Sequence, residues 1–439
     1  MKIRKLHLKN IGVFDNEEII FQPCKAKDKA EIHIFTGQNG SGKSTILMAL
    51  AGGFGRSEPF DIEHQSYKLS KRFKNFDDGY GMSEILITLD DGEVIKAIAS
   101  HITPEIRNIG IASVSERVES YRRLFAYDQL PNFVFEFAVF AYSGYRQINS
   151  EPVEAIKEPA KSNPLEQSLN FVKVFNEERE LTTNQLIANN ISKKWIESSR
   201  NPEKSAKFAS VLSSIEEAVS DITGWRIEFD LETEPTNLIV RVNGDKLDFD
   251  VLPDGLRSLI SWIADLAGRV DLLKWQDDLP TFEKNLILFL DEIEVHLHPA
   301  WQRKVLPVVQ KLFKNSQIFI STHSPFVINS VDDAWVYKLE LENGKARVAD
   351  VVKSEDGYSY RYVLRSILGI TEQFGVEVQK DLDRFYDLRN KVLENGSKST
   401  EKDLLKLAKT LAKQSEELNR IVQAELRQIS GLKGKEFSL

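Results

Sequence analysis

A glycine-rich run near the N-terminus constrains this chain more than any other feature of its sequence. Residues 37–44 read GQNGSGKS, a complete G-x-x-x-x-G-K-[ST] phosphate-binding loop. The loop follows the apolar run 32–35, which is typical of a buried strand, and precedes residues 45–50, which are typical of a helix. Because strand, loop and helix occur in the order that the motif requires, we predict an α/β fold that binds a nucleoside triphosphate.

The residues of this loop have separate predicted roles toward the phosphates. Backbone N–H groups and the positive end of the following helix are expected to surround the phosphate oxygens. Lys43 is expected to reach the β and γ phosphates, and Ser44 to offer its hydroxyl to Mg²⁺. ATP and Mg²⁺ are therefore the predicted cofactors. The candidate nucleotide-binding residues of the loop are Asn39, Gly40, Gly42, Lys43, Ser44 and Thr45.

A pair of acidic residues follows a second apolar run. Residues 285–290 have the pattern of a buried parallel strand, and Asp291 and Glu292 follow at its C-terminal edge. This is a Walker B pattern, in which Asp291 holds Mg²⁺ through its water shell and Glu292 polarises the attacking water. Two adjacent acids could alternatively cap the next helix. A third apolar run, 316–321, is soon followed by His323, which we interpret as a switch histidine that senses the γ-phosphate.

The order of four motifs is more diagnostic than any one of them. After the phosphate loop come LPDGLRS at 252–258, LDEIEVHLHP at 290–299 and STHSP at 321–325. This order resembles ATP-binding-cassette ATPases of the SMC, RecF and OLD type. The resemblance implies a cassette ATPase head with an antiparallel β subdomain. It also implies a homodimer or higher homo-oligomer, in which the signature helix of one subunit completes the γ-phosphate site of the other.

The same resemblance assigns Asp254 and Gly255 to the nucleotide site of the opposite subunit. The sequence departs from the family at Pro253, where the family usually has serine. Because proline has no hydroxyl, the γ-phosphate contact must come from the Gly255 backbone, from Ser258, or not at all. An ordinary helix cap by Asp254 remains the alternative.

Residues 131–147 occupy the place of the cassette Q-loop. Gln147 or Arg146 is therefore expected to face the metal, and Gln147 joins Ser44 and Asp291 as a candidate metal residue. An arginine after a glycine turn is more often a surface salt-bridge partner.

Four regions are predicted along the chain. Residues 1–150 form an N-terminal ATPase lobe, and 151–223 form a short helical insertion without the sustained heptads of a long coiled coil. Residues 224–353 form the second ATPase lobe with the signature, the Walker B strand and the switch histidine. Residues 354–439 form a helical C-terminal region for oligomer or partner contacts.

Composition excludes several other classes of protein. The formal net charge of −8 gives no global electrostatic case for nucleic-acid binding, although a local basic face remains open. The single cysteine, Cys24, excludes an internal disulfide framework and indicates a reducing cytoplasm. The most apolar stretch, 133–142, is shorter than the roughly 20 residues of a membrane span, so no membrane partner is expected.

Two patterns that suggest further chemistry have simpler interpretations. Asp381 and Asp383 have the D-x-D spacing of a Toprim nuclease, but the apolar periodicity around them indicates a solvated helix surface. His296 and His298 have a metal-like spacing, yet they lie in the run that the family places at the dimer interface. We therefore predict no nuclease centre in this chain.

The C-terminal sequence carries a second resemblance. Residues 358–370, followed by helical patterns from 377 and from 400, resemble ATPases of bacterial anti-phage systems of the Septu type, which act with a separately encoded HNH nuclease. The resemblance implies a slowly hydrolysing ATPase subunit of such a complex. The apolar residues Leu404, Leu407, Leu411 and Leu418 could bind that partner or pack onto the chain's own core.

Two alternatives remain open from the sequence. One is a RecF-like DNA-repair or DNA-binding ATPase without a nuclease partner, and the other is a non-hydrolysing scaffold that binds ATP. An HNH open reading frame beside the gene would favour defence, whereas neighbouring replication genes would favour repair.

Overall fold

A computed structural model defines the fold and divides the chain into two compact units, Met1–Leu368 and Gly369–Leu439. The residues that it describes are 1–55, 81–103, 106–113, 115–127, 130–144, 163–165, 168–169, 183–234, 236–355, 357–395 and 397–439.

A mixed sheet lies at the centre of the first unit. In spatial order, its strands among the described residues are β14 (Lys345–Lys353), β13 (Trp335–Glu342), β3 (Glu31–Gly37), β12 (Gln317–Ser321), β11 (Leu286–Leu290) and β7 (Ala138–Tyr142). Strands β13, β3, β12, β11 and β7 run parallel, and β14 is antiparallel to β13. Every residue of β7, β11 and β12 is buried, because helices and loops cover both faces. The predicted strands of the phosphate loop and of the Walker B motif are confirmed.

Helices follow the strand ends that carry the motifs. The phosphate loop leads into α1 (Lys43–Gly52), and the signature segment opens α5 (Asp254–Leu272). The remaining helices of this part are α2 (Glu116–Arg123), α6 (Pro299–Leu312) and α7 (Pro325–Ile328). Nine of the ten residues of α1 are buried. The helix is therefore apolar all round, as a helix enclosed in a core must be.

A second, antiparallel sheet covers this core. Its strands are, in spatial order, β2 (Phe14–Ile20), β1 (Ile3–Ile11), β4 (Gly81–Leu89), β5 (Val94–Thr103) and β6 (Ile106–Ser113). A turn at residues 90–92 joins β4 to β5 and has Gly92 at φ 85°. The antiparallel β subdomain of the expected cassette head is thus confirmed.

A buried polar cluster ties the two sheets together. One carboxylate oxygen of Glu31 accepts hydrogen bonds from Arg4 (2.6 Å), His33 (2.9 Å) and Gln317 (2.7 Å). The Gln317 amide also bonds both backbone groups of Ile3, at 2.6 and 2.9 Å. Although burial opposes ionisation, the hydrogen bonds from His33 and Arg4 lower the pKa of Glu31 to about 2. The cluster fixes β1 against the strand that feeds the phosphate loop.

The helical insertion and the hairpin that follows it are both present. Helices α3 (Thr183–Arg200) and α4 (Pro202–Thr223) precede a three-stranded sheet of β8 (Ile227–Thr233), β9 (Thr236–Val242) and β10 (Asp245–Asp248). On α4, Leu212, Ile215 and Val219 are buried, whereas Trp195 on α3 is 45% exposed.

A short helical segment closes the first unit. The turn α8 (Tyr360–Tyr362) continues into a π-helical turn at Val363–Ile367, and Val363 and Ile367 belong to the core of this unit. The ring of Tyr360 lies 5.1 Å from that of Phe326 in α7. The segment that suggested the Septu resemblance therefore packs beside the helix that follows the STHSP run.

The second unit has a hydrophobic core of its own. It consists of α9 (Val376–Asn395), α10 (Lys398–Ala412) and α11 (Glu416–Lys433). Leu404, Leu411 and Leu418 are buried in this core and Leu407 packs against it. The hypothesis that these leucines bind a partner is therefore wrong, and the alternative of self-packing is confirmed. Asp381 and Asp383 lie on α9, as the helical periodicity predicted.

Among the residues that the structure describes, no helix has the length and apolar content needed to cross a membrane.

Candidate nucleotide-binding site

The phosphate loop has the backbone shape that its glycines permit. It runs from Gly37, the last residue of β3, to Lys43, the first of α1. Gly40 and Gly42 adopt φ values of 81° and 93°, in the left-handed region that residues with a side chain rarely adopt. A Cβ atom at Gly42 would also lie 2.5 Å from the Phe14 ring. Glycine is therefore required at position 42 by both its dihedral angle and its packing.

The Lys43 side chain lies inside the loop. Its ammonium donates hydrogen bonds to the carbonyl oxygens of Gly37 (3.1 Å) and Gln38 (3.0 Å), and the residue is only 6% exposed. Burial lowers the pKa of Lys43, while the carboxylates of Glu292 and Asp291 act in the opposite direction. A cation held in this way is pre-positioned for a phosphate anion at the start of α1.

Asp291 connects the phosphate loop to two strand ends. Its Oδ1 accepts hydrogen bonds from the hydroxyl of Ser44 (3.0 Å) and from that of Ser321. The Ser321 hydroxyl in turn accepts one from the backbone N–H of Glu292 at 2.9 Å. The structure thus brings the two predicted metal residues Ser44 and Asp291 into contact. Ser321, the last residue of β12, was not singled out from the sequence.

Glu292 has an unusual backbone conformation. Its φ is 46°, which is uncommon for a residue with a side chain and is stabilised only where the surroundings enforce it. Burial, together with the neighbouring carboxylates of Asp291 and Glu294, raises the pKa of Glu292. A raised pKa makes this carboxylate a stronger base than an exposed glutamate, as activation of water requires.

Gly144, which was not among the predicted site residues, lies against Glu292. Strand β7 ends at Tyr142, whose carbonyl accepts a hydrogen bond from the Asp291 N–H at 2.9 Å. Two residues later, a Cβ atom on Gly144 would lie 2.9 Å from the Cβ of Glu292. The sequence feature that could have indicated Gly144 is its position just after the apolar stretch 133–142. The predicted Q-loop residues Arg146 and Gln147 lie outside the described residues.

His323 lies at the same edge of the sheet, just beyond β12. Its backbone N–H donates to the Glu294 carboxylate at 2.6 Å. Burial and the positive charge of Lys43 lower the pKa of His323, and Asp291 partly opposes them. A lowered pKa favours the neutral imidazole, which retains one nitrogen that can accept a hydrogen bond.

The signature segment is held by its own chain. Pro253 is the N-cap of α5 and supplies no side-chain cap, and Ser258 is only 1% exposed. Burial excludes the Ser258 hydroxyl as a contact across a subunit interface. The Asp254 side chain is 60% exposed and pairs with Arg257, which lowers the pKa of Asp254. Asp254 does not cap the helix with its side chain, because the helix already begins at that residue.

Gly255 is packed tightly against the segment after the Walker B acids. A Cβ atom there would lie 2.5 Å from the carbonyl oxygen of His296 and 3.2 Å from the Trp301 ring. His298 caps α6, since its Nδ1 accepts from the Ala300 N–H at 3.2 Å. This cap accounts for His298. Within the described part of the chain, no group of three or more His, Cys, Asp or Glu side chains could hold a metal ion.

Comparison with known proteins identifies the class to which this site belongs. The family described as "AAA domain, putative AbiEii toxin, Type IV TA system" matches residues 32–329, which is more than half of the chain. The chain belongs to this family of AAA ATPases. The predicted ATPase class is confirmed.

The chain is also similar to individual proteins. It is 24% identical to the Retron Ec83 probable ATPase of Escherichia coli over 441 residues, covering 85% of this chain and 77% of the relative. It is 23% identical to the Septu protein PtuA of Bacillus thuringiensis over 154 residues, covering 32% and 37% respectively. The SMC head domain from Thermotoga maritima matches 81% of this chain and 100% of its own length, with 15% identity and a TM-score of 0.41.

The described residues fit a nucleotide with a magnesium ion. The oxygen donors Ser44, Asp291 and Ser321 suit a hard cation such as Mg²⁺.

We expect Gly144→Ala to slow ATP turnover about 10- to 100-fold with unchanged ATP affinity, because the new methyl group would displace Glu292 and misplacing a reacting group has costs of this size. Steady-state phosphate release and titration calorimetry measure the two quantities. The control is Gly357→Ala, where a Cβ atom meets nothing within 4 Å. Normal turnover in Gly144→Ala would mean that Glu292 does not need its present position.

Proposed function

We propose that this chain is the ATP-hydrolysing subunit of a bacterial anti-phage defence complex. In this proposal it forms an ATP-gated homodimer that controls a separately encoded HNH-type nuclease. Membership of an ATPase family and similarity to a retron ATPase and to a Septu protein support this assignment.

The single observation that carries the ATPase proposal is the contact between Ser44 and Asp291. It joins the phosphate loop to the Walker B strand across 247 positions of sequence and places Glu292 next in the chain. When bound, Mg²⁺ would supply electrophilic stabilisation of the phosphate oxygens, held through Ser44 and Asp291. Lys43 would bind the β and γ phosphates, and Glu292 would accept the proton of the attacking water.

Dimerisation is proposed because the chain presents the start of α5 to solvent. Pro253 gives this end of the helix no side-chain cap, and Asp254 beside it is exposed. A helix N-terminus is a ready site for an anion, and the γ-phosphate of an opposite subunit is such a group. Because Gly255 and Ser258 are both buried in the single chain, the contact that Pro253 cannot make requires the Gly255 N–H to become accessible on dimerisation, or it is not made at all.

The surroundings of Gly255 and Asp254 decide which of the two residues should be substituted to test this dimer. Substituting Gly255 would push a side chain into the His296 carbonyl and disturb the chain's own Walker B segment. Asp254 is exposed, so a large side chain there blocks an approaching subunit without disturbing the monomer. The matched control is Asp245, an exposed aspartate in β10 of the same unit.

We expect ATP to double the mass of the Glu292→Gln protein in light scattering, because bound ATP links the subunits without being consumed. Adding Asp254→Trp should abolish the ATP-dependent dimer, and adding Asp245→Trp should not. A mass that ATP leaves unchanged would refute the ATP-gated dimer. Copurification of an HNH nuclease encoded beside the gene would distinguish the defence role from DNA repair.

A further inference from the structure

The helix α10 carries an unusual stripe of positive charge. Its lysines recur at intervals of three or four residues, which places five of them within an arc of about 80° along about 22 Å of one helix face. All five are exposed, and none forms an ion pair within the described residues. We call this set the lysine stripe: Lys398, Lys402, Lys406, Lys409 and Lys413.

The lysine stripe is not fully explained by the stability of the helix. Like charges three or four residues apart destabilise a helix, and the helix dipole opposes a cation at Lys398 in the first turn, although it favours one at Lys409 in the last turn. Neighbouring helices are arranged differently, with Glu377–Lys380 in α9 and Glu416–Arg420 in α11 as opposite-charge pairs. The chain as a whole carries a formal charge of −8, so the positively charged lysine stripe is a local exception.

The chemistry of the lysine side chains favours a nucleic acid over a protein as the partner of the stripe. Lysine is depleted in protein–protein interfaces, whose centres are enriched in aromatic residues and arginine. The apolar side of α10 is occupied by the core of its own unit, where Leu404, Ala408 and Leu411 are buried. What remains for a partner is a row of ammonium groups, which suits the regularly spaced phosphates of a nucleic acid backbone.

We propose that the lysine stripe binds the phosphate backbone of a nucleic acid without reading its sequence. Each lysine ammonium is a compact point charge, which suits contacts to phosphate oxygens. This binding does not depend on the proposed ATPase role, because α10 belongs to the C-terminal unit, outside the residues 32–329 matched by the ATPase family.

The test compares two full-length variants that each lose four positive charges. Lysine is replaced by glutamine, which has a similar helix propensity. The first variant changes Lys402, Lys406, Lys409 and Lys413. The control variant changes four exposed lysines that lie off the stripe: Lys27, Lys29, Lys391 and Lys433.

Fluorescence anisotropy with mixed-sequence duplex DNA and with single-stranded DNA, without nucleotide, measures affinity against salt concentration. For the wild type, we expect log K to fall against log salt with a slope of about −4.5 on duplex DNA, as five phosphate contacts predict. The stripe variant should lose at least about 100-fold in affinity at 100 mM salt and most of that slope, whereas the control variant should keep both.

Several results would overturn the proposal. One is a wild-type protein that binds neither form of DNA, and another is a stripe variant that matches the control. Binding of polyglutamate but not of DNA would instead assign the stripe to an acidic protein. ATP turnover should be unchanged in the stripe variant, so failure here is distinguishable from failure of the ATPase proposal.

Discussion

ATP turnover should fall about 10²- to 10⁴-fold in Glu292→Gln, the range that positioned general bases contribute, while ATP affinity is retained. The amide preserves the shape of the side chain but cannot accept the proton of the attacking water. The raised pKa of Glu292 and its enforced backbone conformation suit this carboxylate, rather than Asp291, to act as the base. Phosphate release under saturating ATP, with binding followed by calorimetry, provides the measurement.

The control for this prediction is Glu283→Gln. Glu283 precedes the Walker B strand and pairs with Lys314 at the surface, so its loss should leave turnover normal. Phosphate release at the wild-type rate in Glu292→Gln would remove this residue from the mechanism.

ATP binding should be lost in Lys43→Ala, by about 100-fold or more. Two charge-assisted hydrogen bonds to phosphate, at about 1.5–3 kcal/mol each, account for a loss of this size. The buried ammonium also donates to two carbonyls of its own loop, so the substitution removes loop contacts as well as phosphate contacts. Titration calorimetry with ATP and Mg²⁺ measures the loss of affinity.

A second lysine of equal burial separates binding from folding in this experiment. Lys284 is 6% exposed, as Lys43 is, and pairs with Asp277 before the Walker B strand. Lys284→Ala should lower the melting temperature but preserve ATP affinity. Unchanged ATP affinity in Lys43→Ala would contradict the phosphate-loop assignment.

The parts of the site that follow from local sequence were predictable. A phosphate loop and a Walker B strand are each specified by a contiguous run, so the placement of Lys43 at the start of a helix and of Asp291 at a strand end could be inferred before the fold was known. The contact between Ser44 and Asp291 then follows from the parallel order of the strands.

Other parts of the site could not be predicted because they depend on pairing between distant segments. Gly144 approaches Glu292 only because β7 lies beside β11, and Ser321 reaches Asp291 only because β12 flanks β11 on the other side. The sequence pattern of α10 indicated one apolar face but did not indicate what covers it. In the structure, the core of the C-terminal unit covers this face.

The close fit of Gly255 to the His296 carbonyl has a consequence for communication between subunits. The two groups are too tightly packed to slide past one another, so the start of the signature helix and the segment after Glu292 must shift together. In the proposed dimer, the first of these surfaces faces the ATP of the opposite subunit and the second follows the catalytic base of its own. Hydrolysis in one site would therefore alter how the other nucleotide is held, and the two sites would not act independently.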